Sequence, residues 1–215
     1  MNDLAVTYEV GDESLTVTSA DVRDVLGADN ATDREVRLFL ELCKAQRLNP
    51  FIREAYIVKY GNNPATLLVG KDVYTKRAQA NPRFKGMQAG ITFVTQDNRL
   101  ERREGSMLLE GERIVGGWCA VYVDGYEHPM KDEVSFTEYA GRKRDGSLNQ
   151  QWASKPATMI RKVAIVHALR EAFPDDFQGL YDEAEMGDVI LPERTADIKQ
   201  EEPEAVEAEA EWEEF

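Results

Sequence analysis

Charge along this chain is segregated, and the segregation decides where a folded core can form. Residues 175–215 contain 16 acids and 2 bases, and residues 1–33 contain 8 acids and 1 base. The stretch 34–174 between them contains 16 acids and 23 bases, a net of +7, although the whole chain carries −14. Residues 201–215 include 8 glutamates and few large apolar side chains before Trp212 and Phe215. Such a segment cannot bury enough apolar surface to offset chain entropy, and it is expected to be disordered on its own. The large core is therefore assigned to the basic body. A cation excess confined to one stretch points to a polyanionic partner for it, whereas the net charge alone argues against nucleic acid.

Composition narrows the class. At 215 residues and 42% hydrophobic, the chain affords one packed domain with tails. The expected division is an acidic N-terminal segment over 1–32, a core over 33–187 and an acidic tail over 188–215. No apolar run approaches the ~18 residues of a membrane span. The start, Met1-Asn2-Asp3-Leu4, has neither the basic residues nor the apolar stretch of a secretory signal. Cys43 and Cys119 lie 76 positions apart in apolar surroundings, a pattern of neither a disulfide framework nor a zinc site.

Periodicity predicts an α+β fold, a small antiparallel sheet packed with helices. Leu15 to Thr18 alternates and reads as a short strand before a capped helical turn. Thr32 or Asp33 caps a helix over 33–47, with Glu35 in its first turn and Val36, Phe39, Leu40 and Cys43 on one face. Asn49-Pro50 ends it. Two strands, 54–60 and 65–69, flank a turn at 61–64 and form a hairpin. A helix over 71–80 stops at Asn81-Pro82. Strands follow at 90–95, 113–123 and 128–136. Gly116-Gly117 inside one of them marks a bulge or a close backbone approach. Residues 139–151 read as a polar, basic loop. A second long helix enters at Ser154-Lys155-Pro156, where proline is tolerated in the first turn, and ends at Pro174.

The catalytic inventory is thin. His128 and His167 have no Ser, Cys or carboxylate pattern of a triad or metal pair. Val69-Gly70-Lys71-Asp72 lacks the glycine spacing of a phosphate loop. Glu127, Asp132 and Glu133 are the one acidic cluster compatible with a metal-dependent nuclease. The basic residues offer more. Arg53, Lys59, Lys71, Lys76, Arg77, Arg142, Lys143, Arg144, Lys155, Arg161, Lys162 and Arg170 come from several elements and can line one groove. Lys155 and Lys162, seven apart, point roughly the same way on a helix, and free N–H groups at that helix start suit a phosphate. Contacts of this kind are salt-sensitive and indifferent to base sequence.

Taken in order, the short motifs resemble one family. Leu48-Asn49-Pro50-Phe51, Glu54-Ala55-Tyr56, Val69-Gly70-Lys71-Asp72 and Asn81-Pro82-Arg83-Phe84-Lys85-Gly86-Met87 are similar to the first half of the phage Bet family of RecT-type annealing proteins. Gln151-Trp152-Ala153-Ser154-Lys155-Pro156, Met159-Ile160-Arg161-Lys162, Ala168-Leu169-Arg170-Glu171-Ala172-Phe173 and Gly179-Leu180-Tyr181-Asp182-Glu183 resemble its second half. The resemblance covers roughly 33–187. It implies a non-enzymatic protein that anneals single-stranded DNA in phage recombination without ATP or any other cofactor. It implies an oligomerising core, in rings or helical filaments, acting on single strands and nascent duplex in the cytoplasm of a bacterial host. It also implies an exonuclease and a host single-strand-binding protein as candidate partners, and no membrane. By the same resemblance Arg53 follows the Asn-Pro-aromatic step, Arg142, Lys143 and Arg144 form the basic loop, and Arg161, Lys162 and Arg170 stand on the basic helix. The sequence departs from one member of the family at Ala157 and Thr158, where that member has a Lys-Arg pair, and Lys155 is expected to compensate. A passive single-strand binder is the alternative function. An annealer must leave base faces free, so Phe51, Tyr56, Tyr74 and Trp152 are expected in core or subunit packing, not as stacking platforms. The ending Glu211-Trp212-Glu213-Glu214-Phe215 resembles the partner-docking tip of bacterial single-strand-binding proteins, which makes Trp212 and Phe215 candidate partner contacts.

Overall fold

A computed structural model describes residues 4–59, 64–143, 145–180 and 182. The chain opens with an antiparallel hairpin, β1 (Ala5–Val10) and β2 (Glu13–Thr18), followed by a π-helical turn at Asp21–Val25. One strand was expected here; two form. The acidic segment also joins the main core: Val17 and Val22 are fully buried, and the Tyr8 hydroxyl donates to the Leu48 carbonyl at 2.6 Å. Burial pushes the Tyr8 phenol well above its ordinary pKa.

Helix α1 (Asp33–Gln46) follows the predicted span. Thr32 and Glu35 close a capping box: the Glu35 N–H donates to Thr32 Oγ1, and the Thr32 N–H donates to Glu35 Oε2. Val36, Phe39, Leu40 and Cys43 are its buried side. After a 3-10 turn at Pro50–Ile52, β3 (Ala55–Val58) and β4 (Thr66–Val69) pair antiparallel, as the hairpin reading expected. Glu35 ties α1 to this hairpin, accepting from Lys59 Nζ at 2.7 Å and from the Ala65 N–H at 2.8 Å.

Helix α2 (Lys71–Ala80) leads into a four-stranded antiparallel sheet of β5 (Phe84–Val94), β6 (Leu100–Glu104), β7 (Arg113–Val123) and β8 (Met130–Ser135), in the order β6-β5-β7-β8. β5 begins six residues before the predicted start, and β6 was not foreseen. Its sequence, Leu-Glu-Arg-Arg-Glu, has little apolar content because it is an edge strand held to β5 by backbone pairing.

Short helices α3 (Phe136–Tyr139) and α4 (Gln150–Ser154) bracket the basic loop, α5 (Pro156–Ala172) crosses the sheet, and α6 (Pro174–Phe177) ends the described helices. Ala89, Ile91, Phe93, Cys119, Val121 and Val134 form the buried sheet face. Ten of the 17 residues of α5 are buried, so this helix is a central element and not an amphipathic surface helix. Both readings of Gly116-Gly117 hold. The β5–β7 register shifts from Thr92↔Gly116 to Phe93↔Ile114, leaving Val115 as a bulge. A Cβ on Gly117 would stand 2.5 Å from the Ile160 carbonyl oxygen, so only glycine lets the α5 backbone come this close to β7.

Candidate nucleic-acid interface

The expected cations fall into three groups. The first stands at the N-terminal end of α5. Residues 142–148 close a small hairpin: Arg142 bridges to Leu148, the Lys143 N–H donates to the Ser147 carbonyl at 2.7 Å, and Arg142 donates to the Gly146 carbonyl at 2.9 Å. The hairpin is seated by Gly141, whose missing side chain makes room for Trp152, and by Asn149, which caps α4 by accepting from the Trp152 N–H at 3.1 Å. Arg142 and Lys143 are exposed, as is Lys155 at the α4–α5 junction. Arg144 lies outside the described residues. Lys155 occupies the N-cap of α5 without a side-chain cap bond, which leaves first-turn N–H groups beside an exposed ammonium.

The second group clusters around the 3-10 turn and α2. Arg53 is exposed in a left-handed conformation at the end of the turn (φ 63°). Lys76 is exposed and pairs with Glu54 at 2.8 Å; Lys71 starts α2 with Asp72 at 4.0 Å. Lys59 is committed to Glu35. Helix α2 packs at the C-terminal end of α5, where Tyr74 stacks on Phe177 at 5.2 Å. Arg142 and Lys143 thus precede α4 and Lys155 closes it at the start of α5, whereas Arg53, Lys71 and Lys76 belong to the turn and helix toward the other end of α5.

The third group points inward. Arg77 donates to the Gln46 side chain and carbonyl and to the Asp176 carbonyl, fastening α2 to α1 and α6. Burial pulls its guanidinium below its ordinary pKa. Arg161 donates to the Ala89 carbonyl at 3.2 Å, Arg170 donates to the Leu180 carbonyl at 3.0 Å, and Lys162 pairs at 2.7 Å with Asp182, which is wholly buried. These four cations brace the core, so their charge is spent on internal acceptors.

The sequence reading passed over Arg34, Arg37, Lys44 and Arg47. All four are exposed along α1 and its end, and make no side-chain hydrogen bond or ion pair among the described residues. Their signal was present: Arg34, Arg37 and Lys44 fall outside the buried face of Val36, Phe39, Leu40 and Cys43, and Arg47 is the exposed C-cap.

The aromatic expectation divides as well. Trp152 and Tyr74 are buried, Trp152 edge-on to Phe136 at 5.5 Å. Tyr56 is half-buried, and Phe51 is exposed beside exposed Ile52. The acidic cluster does not converge. Asp132 and Glu133 are adjacent in β8 and face opposite sides of the sheet. Asp132 meets His167 Nδ1 at 3.3 Å, whereas Glu133 accepts from Thr92 at 2.8 Å and from Arg102. Glu127 is exposed in the preceding bend, and His128 lies there too, outside the strand predicted to contain it. Among the described residues no three His, Cys, Asp or Glu form a metal-binding group. No helix among them is long and apolar enough to cross a membrane. Trp212 and Phe215 lie outside the described residues.

The chain is similar in sequence to known proteins. Recombination protein Bet of Escherichia phage lambda is 25% identical over 181 residues, which cover 81% of this chain and 59% of that protein. An uncharacterised protein of Ureaplasma parvum serovar 3 is 29% identical over 152 residues, 69% of this chain and 60% of its own length. The chain thus spans about three fifths of each relative. The RecT family model matches residues 12–205, from β2 through the β3–β4 hairpin, the sheet and the helices, and the chain belongs to the RecT family.

Proposed function

We propose that this chain is a single-strand annealing protein of homologous recombination, and that it works without hydrolysing a nucleotide. The family match across 12–205 carries the reading. The exposed cations Arg142, Lys143, Lys155 and Arg53 support it, because phosphate contacts hold a strand and leave its base edges available. Burial of Trp152 and Tyr74 suits the same task, since neither can occupy a base face. Two strands repel each other. Cations repeated along a row of subunits lower that barrier, so assembly on DNA belongs to the mechanism.

The primary contacts in this proposal are Arg142, Lys143 and Lys155, with the first-turn N–H groups of α5 as a phosphate seat; Arg53, Lys71 and Lys76 extend the path. Arg144 joins the loop contacts by its place in sequence. Arg77, Arg161, Lys162 and Arg170 act by holding the elements that carry those contacts. An exonuclease and a single-strand-binding protein are the proposed partners, with Trp212 and Phe215 as the residues through which one of them docks.

The test mixes two complementary oligonucleotides at matched protein coverage, without nucleotide or metal. Pairing faster than in protein-free solution is the expected result. Tight binding without acceleration would reduce the protein to a passive single-strand binder.

A further inference from the structure

The outer face of α1 has an unassigned composition. Arg34, Arg37, Glu41 and Lys44 follow one another at three- and four-residue steps, with Arg47 at the helix end and Leu38, 59% exposed, along the edge of the stripe beside Arg34 and Glu41. The four cations have no partner among the described residues, and one acid stands among them. This stripe lies outside the buried face of α1, and the described residues leave it exposed.

The chain itself contains a complementary segment. Residues 183–215 carry 13 acids and 2 bases and place Trp212 and Phe215 at the end. Their starting point is close to α1. The Gln178 carbonyl accepts from the Gln46 side chain at the C-terminal end of α1, and four residues later Asp182 is fixed to Lys162. Four residues span at most about 14 Å. The 33 residues that follow, counted from the sequence, have a coil dimension of about 30 Å, against a length of about 21 Å for the 14-residue α1. A tether of that length holds the acidic segment near the stripe at about millimolar effective concentration.

We infer that residues 183–215 dock on the basic outer face of α1 of the same chain, glutamates against Arg34, Arg37, Lys44 and Arg47 and an aromatic of the tail end against Leu38. The docked segment screens these cations from other polyanions at low salt and releases them as salt rises. This inference does not depend on annealing activity, because the contact is intramolecular.

Distance measurement in the full chain tests it. Spin labels are placed at Ala45→Cys, on the exposed side of α1, and at Ala210→Cys. Native Cys43 and Cys119 are buried, which keeps them from the reagent. Labelled protein is diluted with unlabelled protein to remove pairs between copies. The expected result at ~20 mM salt is a population of distances within about 25 Å that disappears at ~500 mM. The same population should vanish in the triple variant Arg34→Glu, Arg37→Glu, Lys44→Glu, whose changes are confined to exposed positions. A broad distribution indifferent to salt overturns the inference. Short distances seen only without spin dilution also overturn it, since the segment then sits on a neighbouring copy. If the triple variant keeps its distances but loses affinity for a thymidine oligonucleotide, the stripe serves nucleic acid and the inference fails.

Discussion

At the scale of single residues, two lysines on either side of the α5 start have opposite consequences. Lys155 is exposed, whereas the side chain of Lys162 is 21% exposed and pairs with fully buried Asp182. Lys155→Ala and Arg142→Ala should each shallow the salt dependence of DNA binding by about one unit and leave stability within ~0.5 kcal/mol. Titration of a labelled single strand across a salt series, beside a urea melt, reads both effects. Lys162→Ala should instead cost about 3 kcal/mol of stability, because it removes the ion-pair partner of a wholly buried carboxylate. A Lys162→Ala protein that melts like wild type but binds DNA weakly would return this residue to the DNA contacts.

Within and between elements, the contacts that place the interface are backbone approach and capping. Gly117→Ala puts a methyl group 2.5 Å from the Ile160 carbonyl oxygen and forces α5 off β7. Overpacking of this kind should cost about 1–3 kcal/mol and move the N-terminal end of α5 with the basic hairpin it supports. The readout is a lower urea midpoint together with weaker DNA binding. At the other end of the fold Glu35 holds α1 to the β3–β4 hairpin. Its bond from Lys59 and the N–H groups of Thr32 and Ala65 lower its pKa to about 2 from an ordinary value of 4.5. A depressed carboxylate stabilises the fold fully above its unfolded pKa, and that contribution is lost as pH falls. Stability of the wild-type chain should therefore decline between pH ~4.5 and ~2, and Glu35→Gln should be less stable at neutral pH with a flatter acid limb. Urea midpoints measured across that range decide it.

For the molecule as a whole, one core joins the acidic N-terminal hairpin, the sheet and the helices, so local damage should propagate. Cys43 and Cys119 report on that core from two places, one in α1 and one in β7. Burial pushes both thiols up to about 12. Neither should react with a maleimide in the native protein at pH ~8, and both should react together when denaturant crosses the unfolding midpoint. Reaction of Cys43 well before Cys119 would mean that α1 opens separately from the sheet. Assembly belongs to this scale too. Among the described residues, the edge strand β6 and exposed Phe51 and Ile52 leave backbone and apolar surface for neighbours. Large DNA-dependent oligomers are the expected outcome in light scattering, and a strictly monomeric complex at saturating DNA would contradict the annealing mechanism.

The sequence by itself determined the elements whose signals are local. Thr32 and Glu35 mark the start of α1, Asn81-Pro82 stops α2, and Pro156 and Pro174 bracket α5, because caps and proline act on their own turn of backbone. The ordered motifs also identified the family. Strand β6 escaped because an edge strand can be polar on both sides while its partner supplies the hydrogen bonds. Only the tertiary structure decided which cations remain available. Arg161 meets a carbonyl 72 positions away, and Arg77 meets one 99 positions away. No local pattern separates these from Arg142 or Lys155. A guanidinium looks the same in sequence whether it faces water or a distant carbonyl, and long-range packing alone makes the distinction.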